Sequence, residues 1–324
     1  MRKITKIWLI VGAALLLLGV ALFGGVLSFL KWDLKGLDTQ KYQTNTYEPV
    51  GEFESISVIV KEADVAFLPS ESDACRVVCY EDERVTHAVE IADGTLTVRV
   101  EDARKWYHYI GFSFHHPTVT VYLPQGEYQA LSVQGNTGDV GIPKEFRFSS
   151  MDISVSTGHV KNHASVTGEL CVKTSTGDIF IEDVSCGALS LSVSTGEVNT
   201  NAVACTGDAS VTVGTGQAHL TDLSCKNLTT KGNTGDLFLK NVVATEKISV
   251  ERSTGDVHFD SCDAAELFIL TDTGDVKGTL RSDKIFIAST DTGKIEVPKT
   301  TTGGRCEITT DTGDVKIEIV APTQ

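Results

Sequence analysis

Basic side chains are scarce in this 324-residue chain: 28 Lys and Arg stand against 43 Asp and Glu, a net charge of −15 at pH 7. Residues 1–35 hold five of the basic residues and one acid, a net of +4, which leaves −19 for the remainder. A surface of that sign excludes nucleic acid as a partner, because phosphate neutralisation needs clustered Lys and Arg, and it repels anionic polymers generally. None of the eight cysteines forms a CxxC pair, the spacing most typical of a zinc ribbon or finger. Beyond residue 30 no 3.6-residue apolar period competes, which rules out a helical domain. Aromatic residues make up only 7% of the chain.

What is abundant is a tripeptide, Thr-Gly-Asp or a close relative. Its threonines are Thr137, Thr157, Thr176, Thr195, Thr215, Thr234, Thr254, Thr273, Thr292 and Thr312, at intervals of 20, 19, 19, 20, 19, 20, 19, 19 and 20. Spacing this regular is the mark of a solenoid, in which each unit stacks on its neighbours.

The third position after each Thr is Val140, Val160, Ile179, Val198, Ala218, Leu237, Val257, Val276, Ile295 or Val315, apolar throughout. Two residues on, the column stays mostly apolar, with Asn162, Thr200 and Gly278 as exceptions. Period two means a strand. A second strand runs six residues before the next Thr, at Met151, Leu170, Leu189, Ala209, Leu228, Ile248, Leu267, Phe286 and Cys306. Between the two, the Thr-Gly step turns the chain where Gly takes positive φ without a Cβ clash. The spacing therefore predicts an all-β fold, a parallel β-helix of about ten rungs, successive rungs about 4.8 Å apart. One coil alone buries too little apolar surface to offset its backbone entropy, so only the array is stable. At an inward corner the column Thr167, Cys186, Cys205, Cys225, Ala244, Ala264, Asp283 and Thr302 is mostly small. Three cysteines should stack there as free thiols, although a bridge between neighbouring rungs is geometrically allowed.

From Trp8 to Leu30 there is no charge over 23 residues, enough at about 1.5 Å per residue to cross a bilayer core of about 30 Å. Trp8 and Trp32 flank the segment, and Arg2, Lys3 and Lys6 precede it, which places the N-terminus inside. A signal peptide is the competing reading, but no A-x-A-like cleavage site and no lipobox cysteine follow. The expected organisation is a cytoplasmic N-terminus at 1–7, a transmembrane helix at 8–30, a polar stalk at 31–52, an N-terminal β cap with a degenerate first coil at 53–130, and the solenoid at 131–324. Localisation follows as single-pass at the cell membrane, with the acidic C-terminal domain extracytoplasmic.

Within the cap, Ile56 to Val60 leading to Ala63-Asp64-Val65-Ala66-Phe67-Leu68-Pro69 parallels Leu131-Ser132-Val133 leading to Gly138-Asp139-Val140-Gly141-Ile142-Pro143. Further strands are expected at 76–80, 95–100 and 118–123. The run Val119-Thr-Val-Tyr-Leu-Pro124, then Tyr128-Gln-Ala-Leu-Ser-Val133, then Asn136-Thr-Gly-Asp-Val140 and the coils after it resembles a bacterial family of adhesin-like domains of unknown function. The resemblance covers about residues 50 to 320. It implies a β-solenoid tethered to the membrane by one N-terminal helix, and a surface role, but it supplies no active site. The chain departs from the simplest members only in an aromatic insertion around Trp106.

Candidate chemistry is sparse. Asp272-Thr-Gly, Asp291-Thr-Gly and Asp311-Thr-Gly spell the aspartic-protease triplet, yet other coils carry Ser, Asn or Gly in the same slot, so it reads as a turn. Stacked carboxylates suit a hard cation better, and Asp272, Asp275, Asp291, Asp311 and Asp314 are candidate calcium ligands. Lys294 interrupts that column. No other cofactor is indicated. The aromatic run holding Trp106, Tyr107, Tyr109, Phe112 and Phe114 is either a cap over the first coil or a partner platform, with His108, His115 and His116 as a third, metal-binding reading. The strand Asp314–Val320, with only Ala321–Gln324 after it, reads as an open edge suited to end-to-end association.

The sequence thus points to a non-enzymatic, membrane-anchored surface β-solenoid that adheres to, binds or senses a ligand in the envelope. The competing classes are a polysaccharide-active β-helix enzyme and a structural rod.

Overall fold

The computed structural model describes residues 3–29, 41–72, 74–105 and 115–320. It divides into two compact units. One takes Met1–Gln43, Asp82–Val85 and Asp102–His115 and contains the helix α1, Lys3–Phe29. In this unit Arg104 pairs with Asp102 at 2.9 Å, and the rings of Tyr42 and His115 lie 4.7 Å apart.

The other unit is the predicted β-solenoid, of about ten turns. Its cap strands are β1 (Tyr42–Tyr47), β2 (Ser55–Ile59), β3 (Asp64–Pro69), β4 (Arg76–Asp82), β5 (Val85–Ala92), β6 (Thr95–Asp102) and β7 (Thr118–Leu123). β8 (Glu127–Thr137) and β9 (Val140–Ile142) begin the regular coils, and β10 to β18 continue them through residues 147–254. Pairing is parallel and in phase with the repeat: Thr137 lies beside Thr157, Thr157 beside Thr176, Thr176 beside Thr195. The apolar columns form one continuous core from Ile56 to Ile317. Where the inward column turns polar the chain satisfies itself at Asn162, which bonds Ala164 through both amide atoms at 3.0 and 3.1 Å. Thr200 Oγ1 is enclosed with no partner.

Two corners repeat. One is the Thr-Gly step, with Gly216 at φ 133 and Gly255 at φ 140. The other, seven residues after Thr176, Thr195, Thr215, Thr234 and Thr254, puts Asp183, Ala202, Asp222, Asn241 and Ser261 at φ between 50 and 55, a left-handed conformation that Asn and Asp tolerate best.

Four expectations need correction. Residues 31–52 are not wholly an irregular stalk, since β1 lies within them; Tyr42, Thr44, Thr46 and Tyr47 supply the aromatic and β-branched content a strand favours. The inward partner of Cys186 is Val166, not Thr167, because the register slips between Val166 and Glu169. Asp283 and Thr302 are exposed, and the inward place beside Asp283 belongs to Lys284, 2% exposed.

The fourth correction concerns the C-terminal end, built of β19 (Val257–Thr273), β20 (Val276–Leu280), β21 (Lys284–Thr292), β22 (Ile295–Glu296), β23 (Gly304–Thr312) and β24 (Val315–Ile319). β23 lies between β19 and β21, and β24 between β20 and β22. The last coil in the sequence is therefore the penultimate coil in space, and Asp314–Val320 is not an open edge. The N-terminal end shows the same exchange: β2 sits between β6 and β8, with Val58 facing Val98 on one side and Val133 on the other, and β3 sits between β7 and β9. The degenerate first coil is real, in the expected register Ile56 to Leu131, but β6 pairs with its β2 and β7 with its β3.

Candidate functional site

The acidic column explains itself through the backbone. Asp139 Oδ1 accepts the amide of His159 at 2.8 Å, Asp178 Oδ1 that of Glu197 at 2.8 Å, Asp236 Oδ1 that of Asp256 at 2.9 Å, and Asp256 Oδ1 that of Asp275 at 2.8 Å. Each carboxylate thus caps an amide one rung along, a charge-assisted bond. His159 fills the same office with Nδ1, 3.1 Å from the Asp178 amide.

The calcium candidates fall into this ladder. Asp275 Oδ1 takes the amide of Asp314 at 2.7 Å, and its other oxygen is held by Lys277 Nζ. The lysine bond and the Asp314 amide hold the Asp275 carboxyl below its usual range. Asp314 Oδ1 accepts the amide of Lys294 at 2.9 Å. Asp272, Asp311 and Asp291 follow one another in that spatial order and all three side chains are exposed. The aromatic candidates Trp106, Tyr107, Tyr109, Phe112 and Phe114, and His108 with them, lie outside the described residues.

The cysteine stack is present: Cys186 faces Cys205 in register, their sulfurs 2.8 Å apart, and all eight cysteines are free thiols. Burial pushes Cys225 up to about 12. The hydrogen bond between the other two raises Cys205, which burial raises further, and lowers Cys186.

Two features escape the sequence pattern. The first is a set of exposed apolar side chains on the outer face near the C-terminal end: Leu270 on β19 and Ile285 and Ile287 on β21 are 47%, 45% and 50% exposed, on either side of Arg305, Glu307 and Thr309 of β23. A shallow groove there is lined by Phe268, Leu270, Glu251, Glu307 and Thr309 among others, and the guanidinium of Arg305 lies 5.5 Å from the Phe268 ring centre. The second is buried in the cap. Cys79, Glu81 and His87 are 0%, 1% and 5% exposed, and one ligating atom of each lies within 4.8 Å of the others. Cys79 and Glu81 share the inward side of β4 by alternation, and the turn after Asp82 returns His87 to them. His87 Nδ1 meets Glu81 Oε2 at 2.6 Å. The opposite oxygen, Oε1, accepts Asn45 Nδ2 at 2.6 Å and the Tyr47 hydroxyl at 3.5 Å. His87 Nε2 is enclosed without a partner. Desolvation and the nearby Glu81 charge push both the Cys79 thiol and the Tyr47 phenol up to about 12. The signal available in the sequence was a glutamate in phase with Val77 and Cys79, where an apolar residue belongs.

A family model described as Toastrack DUF4097 matches residues 53–218 and again 191–324. This chain belongs to the Toastrack DUF4097 family. Two overlapping matches of one Toastrack model are what an internally repetitive solenoid gives. Among solved structures, a candidate adhesin from Parabacteroides distasonis is similar over 86% of this chain and 98% of its own, at 15% identity and a TM-score of 0.52. A candidate adhesin from Parabacteroides merdae covers 74% of this chain and 97% of its own at 16% identity, with a TM-score of 0.46. A candidate lipid-binding protein from Parabacteroides distasonis covers 74% and 95% at 17% identity, with a TM-score of 0.43. At 15% identity the first of these likenesses is one of fold alone. No curated protein matches this Toastrack chain. Ahead of the Toastrack region, α1 is long and apolar enough over Thr5–Val26, mean hydropathy 2.6, to cross a membrane as an anchor or to serve as a signal sequence.

Proposed function

We propose that this protein is a non-enzymatic adhesin-like module, held at the membrane by α1 with its solenoid outside the cytoplasm, and that it binds its ligand through the exposed apolar side chains of the terminal coils. The observation that carries this reading is the exposure of Leu270, Ile285 and Ile287 on the two strands that flank β23, on a solenoid whose other outward positions are largely polar. Exposed apolar side chains gathered in one region mark contact surfaces on soluble domains. With −19 beyond residue 35, the favoured ligand is a neutral or basic envelope surface, since anionic polymers are repelled.

The test is pull-down of the full chain in detergent micelles with purified peptidoglycan and, separately, with zwitterionic and cationic vesicles. Binding to one of these, lost in the double variant Ile285→Ser and Ile287→Ser, supports the reading. Equal binding by both proteins, or release of soluble sugar from the wall polymer, overturns it in favour of another face or of the enzyme alternative.

A second reading, end-to-end association, is favoured by the free side of β21. That strand pairs with β23 on one side and has no named partner strand on the other among the described residues.

A further inference from the structure

We propose that Cys79, Glu81 and His87 form a binding site for a divalent metal of zinc character inside the N-terminal cap. Theirs is the one set of three or more potential ligands that the described residues bring within 4.8 Å of one another. The donor set is thiolate, carboxylate and imidazole, the three groups zinc takes.

Charge is the first argument. A carboxylate 1% exposed is costly unless paired. In the metal-free protein the partner is the His87 ring at 2.6 Å, with Asn45 and Tyr47 on the other oxygen. A divalent ion with one thiolate, one carboxylate and a neutral imidazole has no net charge, so binding to the ion-paired pocket keeps it neutral as two protons, one from the Cys79 thiol and one from the His87 imidazolium, leave to solvent.

The second argument is the unsatisfied ring nitrogen. His87 is 5% exposed, yet Nε2 meets no donor or acceptor, an exception among buried polar atoms that calls for an unseen ligand.

Geometry is the third. Zinc bonds of about 2.0 to 2.3 Å in a tetrahedron place ligand atoms roughly 3.3 to 3.7 Å apart. One ligating atom of each residue already lies within 4.8 Å of the others, while the 2.6 Å contact of His87 Nδ1 with Glu81 Oε2 is a hydrogen bond that leaves Nε2 as the nitrogen free to meet an ion. Small adjustments of the three side chains close the site on an ion. Asn45 orients the Glu81 carboxylate from outside the ligand set, as outer partners do in zinc sites.

The experiment uses the full chain purified in detergent. Elemental mass spectrometry should find zinc bound, and after chelation cobalt(II) should restore occupancy with a thiolate-to-cobalt charge-transfer band. Cys79→Ser should abolish that band while seven other cysteines remain. His87→Gln should weaken binding more than about 100-fold, and Asn45→Ala about 10- to 100-fold, the range for an outer partner. Absence of metal and of the cobalt band in the wild type would show a buried ion pair only and overturn the proposal, whether or not the variants fold. An unchanged band in Cys79→Ser would overturn it equally, by placing the metal elsewhere.

Discussion

The amide of Lys294 donates to the carboxylate of Asp314 at 2.9 Å, and this one bond runs against the chain. In the other rungs the amide belongs to the later residue and the carboxylate to the earlier, as with His159 and Asp139. Here the order reverses because the coil of Thr312 has entered the stack below the coil of Thr292. The backbone agrees: Gly274 donates to Thr312 O and Gly313 to Thr292 O, both at 2.9 Å. The last-made coil is stapled on both faces, and residues 284–296 close the end.

Truncation after Gly303 should therefore release more than the deleted coil. With β23 and β24 gone, residues 284–296 lose their paired neighbours, and their amides should exchange hydrogen as fast as an unpaired segment. Hydrogen exchange read by mass spectrometry checks this. Retained protection at 284–296 would mean that those residues dock directly on β19 and β20, contrary to the observed order.

The Thr-Gly turn should tolerate no side chain. A Cβ on Gly255, at φ 140, would stand 2.1 Å from Gly235 O, so Gly255→Ala adds a backbone clash to conformational strain of about 1–3 kcal/mol. The expected loss is at least about 3 kcal/mol in urea melts. Gly141 has nothing within 4 Å of its Cβ position, and Gly141→Ala should be neutral or slightly stabilising. Equal losses at both sites would refute the close approach of neighbouring turns.

Much of this was legible in the sequence. The columns through Val140 and Leu170 gave strand faces and register because alternation and spacing report burial directly. The acidic turn residues were visible too, but not their use: Asp275 or Asp314 as cation ligand and as amide cap call for the same residue at the same spacing. Coil order at the C-terminal end could not be read, since Asp291-Thr-Gly and Asp311-Thr-Gly carry identical turn chemistry and either coil fits either slot. His87 was missed because β5 lies off the repeat, where no column exists to make an inward histidine stand out.

Strand faces can be checked within one turn. Val257 is fully buried while its neighbour His258 is partly exposed, stacked on Phe238 at 4.9 Å between ring centres. Val257→Asp should cost at least about 3 kcal/mol, for a carboxylate with no buried partner. His258→Ala should cost about 0.5 to 1.5 kcal/mol, the worth of an aromatic contact. Urea melts giving equal losses would invalidate the assignment of inward and outward positions.

Acid should weaken the end of the solenoid through Asp263. Burial alone raises its pKa, but hydrogen bonds from Lys284 and Ser282 outweigh this and hold it below 3.8, with Lys284 Nζ at 2.8 Å and Ser282 Oγ at 2.7 Å. A folded pKa below the unfolded one gives stability that is present above the unfolded value and is lost as pH falls through the folded value, here below about pH 4. Asp263→Ala, which strands the buried Lys284 ammonium, should cost about 3 kcal/mol at pH 7. The gap between wild type and variant should narrow as pH drops toward 3. A gap independent of pH would show that the pair contributes packing, not charge.

The free side of β21 leads to the last expectation, on self-association. An unpaired strand side presents a row of amide and carbonyl groups to any extended partner. Ile285 and Ile287 flank it with exposed apolar surface, and the core is thinly covered there, with Ile295 44% exposed although its column is buried elsewhere. Sedimentation of the full chain in detergent should show mass rising with protein concentration, and Ile287→Lys should suppress that rise, because a charge at a strand edge opposes strand addition. Ile317→Pro, inside the doubly paired β24, should instead destabilise the terminal coils, since proline removes a ladder donor. A wild type that stays monomeric at high concentration would leave the open end without a second copy to meet. A folded but non-associating Ile317→Pro variant would return the contact to β24.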